Sequence, residues 1–582
     1  MHLPLHIQTM ALVAIALLLT ACGHDASSDM ALTIIDGTPP LLTTDNSFAN
    51  GYSSVAAVFV SGQVQDSSGI RSLTYTLNEQ PAKRLTVHKD GYFDDRILLS
   101  LGSNKITLEA TDNAGNIMRS TKTVYLGDTV AAGGSHTGAL RDGQLYGWGR
   151  NHYGQTGFGS TTKITNVMGH PDTPMIINHA PKDLVSINYN QNHSLAIDQD
   201  GQVYSWGEDK YGQLGRGDLG RNNCNDTEDC RLDISAIAGI DDAVLVAAGY
   251  RHNLVLTRDG NVWAFGANDQ GQLGDGTSNA SSTPVNVNFL AASEVGRIVQ
   301  VVASANSSYA LDDKGQVWGW GSDAYANLGR GQACTAADRC TDIHTTPIRI
   351  DVIKDDQAKS GTTQNKEKVI QLAAGRDHIL ALTSKDAVYG WGLNDTSQVG
   401  YNGQGFKDTK SAWANIIVTP TKLPWFTDKD VRRIYANGHA SYALLDNMLI
   451  DPESMSAEST DTETRANGTL YQWGMFGETN PAGNTNYSHL NEPTNKLVNL
   501  KNIDDLAIGI MHLIAHQKPA DQDFSYQNPS YLNQDYQDSD NDAKNGDLLT
   551  WGWSFEGSLG NKDNTHIWMY NTPSPVNLPS QL

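Results

Sequence analysis

The stretch that decides the fold is AAGYRHNLVLTRDGNVWAFGANDQGQLGDG, at residues 247–276. Apolar residues alternate with strand period in His252–Thr257, Asp259-Gly260 is a tight-hairpin pair, and Asn261–Phe265 predicts a returning strand. The stretch NYNQNHSLAIDQDGQVYSWGEDKYGQLGRG, at residues 188–217, repeats the same pattern. The first inference is therefore a β-hairpin unit that recurs along the chain.

Each copy of the unit is marked by an aromatic residue followed by glycine, and seven copies follow one another from about residue 129, spaced 55 to 82 residues apart. The aromatic residues are Trp148, Trp206, Phe265, Trp320, Trp391, Trp473 and Trp551. Two shorter β-rich pieces precede a hairpin, for example Thr283–Asn288 and Ile298–Val302 before the fourth copy. Four antiparallel strands cannot bury both faces alone, whereas sheets stacked around an axis can. We therefore expect a closed β-propeller with the repeated aromatic side chains between its blades.

The pattern resembles the regulator of chromosome condensation repeat family, whose members form seven-bladed β-propellers. The resemblance implies an all-β chain with such a propeller over residues 129–582. The last segment, Thr572–Leu578, matches the strand that elsewhere precedes a repeat, so we expect it to complete the first blade and close the ring. Guanine-nucleotide exchange and chromatin binding, known for the nuclear relative, are not expected in an exported and acidic chain.

Histidines recur in the turn upstream of the aromatic landmark, where a metal or catalytic role is the obvious alternative to a structural one. They are His136, His193, His252, His378 and His512, and we expect Ser308 and Ser441 to replace them in the other two copies. Because a repeated position is more simply a structural one, we interpret the imidazoles as bridging groups of the turn.

Residues 31–127 lack the aromatic landmark and show short alternating strands at sandwich spacing. The predicted strands are Val55–Val64, Ile70–Leu77, Leu85–His88, Tyr92–Leu101, Asn104–Ala110 and Met118–Tyr125. This region resembles the bacterial immunoglobulin-like modules of surface proteins, and the usual role of such modules is spacing. Asp66 and Asp112 could hold calcium, but turn chemistry explains both residues, and we favour that interpretation.

The N-terminus reads as an export signal. Met10–Ala21 is an apolar run of 12 residues, too short to span a bilayer as a helix. It leads to Leu19-Thr20-Ala21-Cys22, which resembles a bacterial lipobox and implies cleavage after residue 21 and acylation, including palmitate, at Cys22. The n-region has no Lys or Arg, so an ordinary secretory signal is the alternative. Residues 22–30 read as a flexible tether, and Gly23 favours the outer membrane if the cell has one.

The other cysteines agree with an oxidising compartment. Cys224 and Cys230 form one pair, Cys334 and Cys340 form the other, and both pairs enclose five residues. Two small disulfide loops are the expected arrangement, with a four-cysteine zinc site as the alternative.

Charge and motifs restrict the function classes. The 582-residue chain carries 41 Lys+Arg against 64 Asp+Glu, a net charge of −23, which argues against nucleic-acid partners and leaves the lipid anchor as the expected contact with the membrane. No catalytic or cofactor-binding motif is present in the sequence. We expect a non-enzymatic binding or scaffold protein with no cofactor, whose partner in the envelope or outside is a protein or a glycan. The alternative is an envelope or polysaccharide-acting enzyme with carboxylates at the propeller mouth.

Three insertions interrupt the repeat. They run from Lys354 to Lys366, from Asn447 to Asn467 and from Gln517 to Asn545. Because alternate turns of a blade fall on the same face, we expect all three on one rim of blades five to seven, as a partner-binding surface. Within the last insertion Asp538, Asp540 and Asp542 resemble a calcium loop, but the composition favours disorder over a metal site.

Overall fold

The computed structural model describes residues 36–45, 48, 50–141, 143–162, 170–217, 222–224, 228–290, 293–331, 343–353, 366–400, 406–407, 415–446, 469–479, 485–494, 503–510, 512–517, 548–552, 555–561 and 570–579. Within these ranges there are 38 strands in nine sheets, two 3₁₀ turns (Pro424–Phe426 and Phe555–Gly557) and no α-helix. The chain is therefore all-β, as the sequence predicts.

The first two sheets form a small immunoglobulin-like sandwich, which we call the module. Its strands are β1 (Leu41–Thr44), β2 (Gly51–Ser53), β3 (Ala57–Gln65), β4 (Ile70–Leu77), β5 (Lys83–Leu85), β6 (Tyr92–Leu98), β7 (Gly102–Asp112) and β8 (Ile117–Leu126). One sheet has the order β1-β3-β6 and the other the order β2-β8-β7-β4-β5. Val60, Phe93, Ile106 and Leu108 are fully buried between them, so the predicted strand alternation does build this core.

Seven further sheets form the blades of a propeller. Blade one contains β9 (Val130–Ala132), β10 (His136–Arg141), β11 (Gln144–Gly149) and β12 (Met175–Ile176). Blade two contains β13 (Leu184–Asn190), β14 (His193–Asp198), β15 (Val203–Glu208), β16 (Asn222–Cys224) and β17 (Glu228–Ala236). Blade three contains β18 (Ala243–Ala248), β19 (His252–Thr257), β20 (Val262–Gly266) and β21 (Ser281–Asn286). Blade four contains β22 (Ile298–Ala303), β23 (Ser307–Asp312), β24 (Val317–Ser322) and β25 (Ile343–Ile350).

The last three blades follow the same plan. Blade five contains β26 (Val369–Ala374), β27 (His378–Thr383), β28 (Val388–Leu393), β29 (Phe406–Lys407) and β30 (Asn415–Lys422). Blade six contains β31 (Asp430–Asn437), β32 (Ala440–Asp446), β33 (Thr469–Thr479) and β34 (Thr485–Thr494). Blade seven contains β35 (Ile503–Ile508), β36 (His512–Gln517), β37 (Leu548–Gly552) and β38 (Tyr570–Pro575). The first strand of every blade lines a central channel.

The aromatic landmarks lie between neighbouring blades, which confirms the prediction. Trp148, Trp206, Trp320 and Trp391 are completely buried. The indole N–H of Trp320 donates to the carbonyl of Gln272 in the preceding blade at 2.9 Å. Gly274 must be glycine, because its φ is +69° and a Cβ there would lie 2.6 Å from the Trp320 indole nitrogen. The Gly-Gln-Leu-Gly turn is therefore the seat of the next blade's aromatic ring.

The prediction for ring closure was wrong. The C-terminal strand β38 pairs with β37 inside blade seven, for example Leu549 with Pro575, and blade one has its own outer strand β12. The cause is the assignment of the outer strands. The predicted strand Thr283–Asn288, which we assigned to the fourth copy, overlaps β21 (Ser281–Asn286), and β21 pairs with β20 and finishes blade three. Blades seven and one are joined by packing and by a backbone hydrogen bond instead. Val576 lies in one cluster with Val130, Trp148 and Ile514, and Ile510 N donates to the Gly133 carbonyl at 3.2 Å.

Candidate functional site

The propeller has two faces that differ in what covers them. One face carries the hairpins between the second and third strands of each blade, together with the connections between blades; we call it the hairpin face. The opposite side, with the turns from first to second and from third to fourth strand, is the turn face. In the described part of the chain the module lies on the hairpin face, so the two faces are not equivalent as binding surfaces.

The repeated histidines join neighbouring blades. Nε2 of His252 in blade three lies 2.9 Å from Oγ of Ser308 in blade four, and Ser308 donates onward to the carbonyl of Gln272 at 2.8 Å. The same bridge joins four other pairs, at 2.7 to 3.0 Å: His136 with Ser194, His193 with Asn253, His378 with Ser441 and His512 with Thr137. Burial lowers the pKa of His252 to about 3 and that of His512 to about 4. These imidazoles are neutral at pH 7 and hold blades together.

The two blades without a histidine differ from our expectation. Ser307 and Ala440, not Ser308 and Ser441, occupy the histidine position, because each faces the landmark glycine across the hairpin. Ser308 and Ser441 lie one residue later and receive the histidine of the preceding blade. The position that would bond the histidine of the preceding blade is apolar where that blade lacks a histidine. It is Ile379 in blade five and Leu513 in blade seven.

Side-chain amides link the inner strands around the channel. The amide of Gln300 in blade four both accepts from Leu372 N at 2.8 Å and donates to Leu372 O at 3.0 Å. Gln371 makes the same pair of bonds to Ile434 in blade six. Each amide completes the backbone hydrogen bonding between strands of neighbouring blades. The enclosed space is about 200 Å³ and otherwise lined mainly by small apolar side chains.

The module closes the channel at the hairpin face with the segment Ser53–Ala57, which we call the plug. Ser54 lies at the end of the channel and accepts a hydrogen bond from Nε2 of Gln371 at 3.1 Å. Ala56 N donates to the Val299 carbonyl at 2.7 Å. Val55 and Ala57 are buried in one apolar cluster with the inner strands of blades four to six. The module therefore packs against the propeller instead of standing apart from it, and its spacer role relative to a membrane stays a prediction.

Charged groups fix the module to the first strand of blade five. The buried Arg96 guanidinium donates to the Val369 carbonyl at 2.9 Å, and Lys368 Nζ lies 2.6 Å from Asp94 Oδ2. Both cations also stand over the Phe59 ring, at 5.6 and 5.4 Å from its centroid. A buried cation that has hydrogen-bond and aromatic partners is held firmly in one arrangement.

A buried acidic group lies where the module meets blades seven and one. Burial and the neighbouring Asp505 raise the pKa of Asp128 to about 7, and burial and Asp504 raise the pKa of Asp505 to about 6. Asp505 accepts from Thr129, and Arg433 Nη1 lies 4.0 Å from its other oxygen. Burial, and after it the charge of Asp505, raise the pKa of the half-buried Tyr125 to about 12. No local pattern in the sequence marks this group, since its members are spread over the whole chain.

The three insertions lie mostly outside the described residues: Lys354, Asn447, Asn467 and Asn545 fall there, whereas Lys366 and Gln517 are described. The flanking strands that are described end on the hairpin face, at Ile350 and Val369, Asp446 and Thr469, and Gln517 and Leu548. All three insertions thus leave the propeller on the face that carries the module.

Of the predicted cysteine pairs, Cys224–Cys230 forms a disulfide across the β16–β17 hairpin, with Cα atoms 5.8 Å apart. Cys334 and Cys340 lie outside the described residues, as do the signal 1–21, Cys22, the tether 22–30, and Asp538, Asp540 and Asp542. In the described part of the chain, no helix is long and apolar enough to cross a membrane.

One carboxylate cluster in the module has the composition of a cation site. Asp66 and Asp112, the two predicted candidates, lie with Asp36, and one oxygen of each falls within 4.8 Å of the others. Turn hydrogen bonds use these carboxylates, since Asp66 accepts from Ser68 and Asp112 from Asn116. Both interpretations of these aspartates therefore remain: hard oxygen ligands of the type calcium prefers, and turn acceptors.

Comparison with known proteins agrees with the two-part fold. A family model of the regulator of chromosome condensation (RCC1) repeat matches residues 142–197, 200–256, 259–311 and 314–382, and a second one matches 128–155, 184–213, 243–272, 298–326 and 369–398. The model of glucodextranase domain B matches residues 40–127.

Individual relatives cover parts of the chain. The ultraviolet-B receptor UVR8 of Arabidopsis thaliana is 32% identical over 280 residues, 47% of this chain and 54% of that protein. The E3 ubiquitin-protein ligase HERC2 of Homo sapiens is 32% identical over 275 residues, 47% of this chain and 5% of that protein. Yeast RCC1 (Prp20), solved with Kap60 bound, is 19% identical and superposes with a TM-score of 0.50 over 74% of this chain and 82% of its own.

Proposed function

The chain carries RCC1 repeats, and on that premise we propose that it is a non-enzymatic binding or scaffold protein, anchored by lipid at Cys22 outside the cytoplasm. Its partner is a protein in the cell envelope or beyond it, contacted through the three insertions on the hairpin face. Propellers of this family act mainly as rigid supports for interactions, and a protein complex has been solved for the yeast relative.

One observation supports the proposal most strongly. The strands that flank the insertions end on one face of blades five to seven, beside the module. Loops on a rigid scaffold are the usual carriers of recognition. Here the scaffold is made rigid by inter-blade hydrogen bonds and by the plug. Because the insertions and the module share one face, together they would form one continuous surface.

The tether agrees with this arrangement. Thirteen residues lie between Cys22 and Asp36, the first described residue, and the span from Cys22 to Asp36 extends to about 50 Å at most. A lipid at Cys22 would keep Asp36, which lies beside Ser67 and Asn116 at the end of the module away from the plug, within that distance of the membrane. If the cell has an outer membrane, that is the membrane we propose.

Crosslinking in the native envelope, followed by affinity purification and mass spectrometry, tests the proposal. Replacement of residues 447–467 and 517–545 by Asp-Gly turns should remove the crosslinked partner without changing the melting temperature. A matched control replaces the exposed residues 277–280 on the turn face by a turn of the same kind. Undiminished crosslinking in the insertion variant refutes this binding surface, and a glycan as the recovered ligand refutes the protein partner.

The anchor is tested separately. We expect the Cys22→Ser variant to lose palmitate labelling and to leave the membrane fraction. The Cys224→Ser, Cys230→Ser variant serves as a control for loss of thiols and should stay in that fraction. Continued lipid labelling of Cys22→Ser contradicts the anchor but leaves the partner surface untouched.

A further inference from the structure

A cavity lies inside the contact between the module and the propeller. It encloses about 70 Å³ and is lined by residues of the plug, by Phe59 of β3 and by two consecutive arginines of β31, Arg432 and Arg433. Since about 10–15 Å³ is enough for one water molecule, the cavity has room for a small ion.

Both arginines reach the cavity because β31 is irregular. Consecutive residues of a regular strand point to opposite faces of the sheet. Here the pairing with β32 shifts its register between Val431 and Arg433, so Arg432 is the extra residue of a β-bulge. The Arg432 side chain extends to the module, since a Cβ at Gly51 would lie 2.7 Å from its Nη2.

The guanidinium group of Arg433 uses only part of its donors. Nη1 donates to Tyr435 Oη at 3.2 Å and to the Asp504 carbonyl at 3.3 Å, and it lies 4.0 Å from Asp505 Oδ1. Nη2 is buried and has no hydrogen-bond partner among the described residues. The side chain stays protonated, and a buried charged donor without an acceptor is costly. An acceptor beside Nη2 is therefore favoured.

The module side of the cavity wall adds donors as well. Oδ1 of Asn50 accepts from Thr123 N at 2.7 Å, so Nδ2 is the group that this side chain can offer. Oγ of Ser54 accepts from Nε2 of Gln371 at 3.1 Å, which leaves its own proton for another acceptor. Among the described residues that line the cavity there is no carboxylate. The wall therefore suits a small anion better than a cation.

We propose that the cavity binds a chloride ion, which joins the module to blade six. Chloride accepts hydrogen bonds from all sides, so it can take Nη2 of Arg433 together with donors of Asn50 and Ser54. A water molecule also accepts hydrogen bonds but brings no negative charge to a wall with two guanidinium groups. The site lies inside the interface between module and propeller, so it depends neither on the lipid anchor nor on the three insertions.

Urea unfolding of the full chain tests the proposal, with sodium chloride compared with sodium gluconate at constant ionic strength. We expect the unfolding midpoint to rise with chloride concentration and then to level off. At a chloride concentration ten times its Kd, the unfolding equilibrium constant should fall about elevenfold. Sodium sulfate shows the general salt effect, which should rise without levelling off. A saturating effect of sulfate that chloride lacks would overturn the assignment of chloride.

Three variants locate the effect. Arg433→Met should abolish the chloride dependence, and Ser54→Ala should raise the Kd for chloride several-fold. Arg96→Met is the matched control, because Arg96 donates to the Val369 carbonyl in the same interface but does not line the cavity. It should lower the midpoint and keep the saturating chloride effect. Equal chloride dependence in the wild type and Arg433→Met, or none in the wild type, refutes the site.

A crystallographic measurement carries the test if Arg433→Met does not fold. Wild-type crystals grown with sodium bromide in place of chloride should show an anomalous bromine peak within hydrogen-bond distance of Arg433 Nη2. Ordered water alone at that position would overturn the proposal.

Discussion

At the scale of single residues, a repeated side chain acts as a link between units. Each recurrent histidine is donor or acceptor to a Ser, Thr or Asn of the next blade, for example His378 to Ser441 at 2.7 Å. Removing one partner leaves a buried polar atom without a bond, whereas two apolar residues satisfy each other. This accounts for the apolar Leu513, which follows Ala440 of blade six, whereas Ser307, which precedes Ile379, satisfies its hydroxyl within its own blade by donating to the Ser322 carbonyl at 2.7 Å.

The Ser308→Ala variant should destabilise the protein by about 1–3 kcal/mol, because His252 Nε2 and the Gln272 carbonyl both lose a partner. Urea unfolding measures the change. Ser278→Ala, at an exposed site of blade three, is the control and should fall within about 0.5 kcal/mol of the wild type. A loss as small as that of the control would show that the bridge contributes nothing.

Acid should weaken the same links. The folded-state pKa of His252, about 3, lies below its ordinary value of 6.5, so unfolded chains bind the proton first. Its contribution to stability is complete above pH 6.5 and is lost as the pH falls towards 3. Asp128 and Asp505 act in the opposite sense, since their raised pKa values favour the folded state at low pH.

The test is therefore a difference between variants. Between pH 6.5 and pH 4, the free energy of unfolding should fall less in His252→Gln than in the wild type. The difference should be about 1.4 kcal/mol for each pH unit below the unfolded-state pKa of His252. Urea unfolding at both pH values measures this difference, and His179→Gln, at an exposed position, should behave as the wild type. Parallel losses in His252→Gln and wild type would contradict a buried neutral imidazole.

At the scale of elements, the outer strand belongs to the blade that precedes it in sequence. The sequence predicts that Thr283–Asn288 and Thr572–Leu578 open a repeat, yet the strands that contain most of them, β21 and β38, each finish a blade. The wrong assignment has a physical cause. Strand propensity is a local property, and a strand between two repeats can pair with the sheet on either side of it. Only the pairing with β20 and β37 decides which repeat it joins.

The Val576→Ala variant should lower stability by about 1–3 kcal/mol, because Val576 is buried between blades seven and one. Amide exchange should become faster in β37 and β38, since Val576 N donates to the Leu548 carbonyl. Val285→Ala, on the half-buried outer strand of blade three, is the matched control. Faster exchange confined to β12 of blade one would revive the strand-exchange closure.

At the scale of the whole molecule, module and propeller share their apolar cores. Val55, Ala57 and Phe59 are buried in a cluster with Val299 and Leu372 of the propeller. Burial of one such aliphatic or aromatic side chain is worth about 1.5–3 kcal/mol. Two domains joined over such an interface should unfold together.

Scanning calorimetry of the full chain should show one transition whose van't Hoff and calorimetric enthalpies agree. Ala56→Asp places a charge in the buried plug, where Ala56 is 1% exposed, and should split or broaden that transition. Ser278→Asp on the surface should not. Two separate transitions in the wild type would show that the module unfolds as an independent domain.

What the sequence alone determined is the part that repeats or is local. The aromatic-glycine landmarks, the hairpins and the alternating strands of the module specify seven blades and a sandwich because each unit's pattern lies within a few tens of residues. The family models stop at residue 398, and the last two blades are recognised from their landmarks and confirmed by their sheets.

Tertiary structure alone decided where these parts meet. The contact between Arg96 and Val369 joins residues 273 positions apart, and that between Thr137 and His512 joins residues 375 apart. No spacing rule relates such positions, because they come together only after the ring has closed and its channel exists. The contacts of the plug and the Asp128–Asp505 group are both products of that closure.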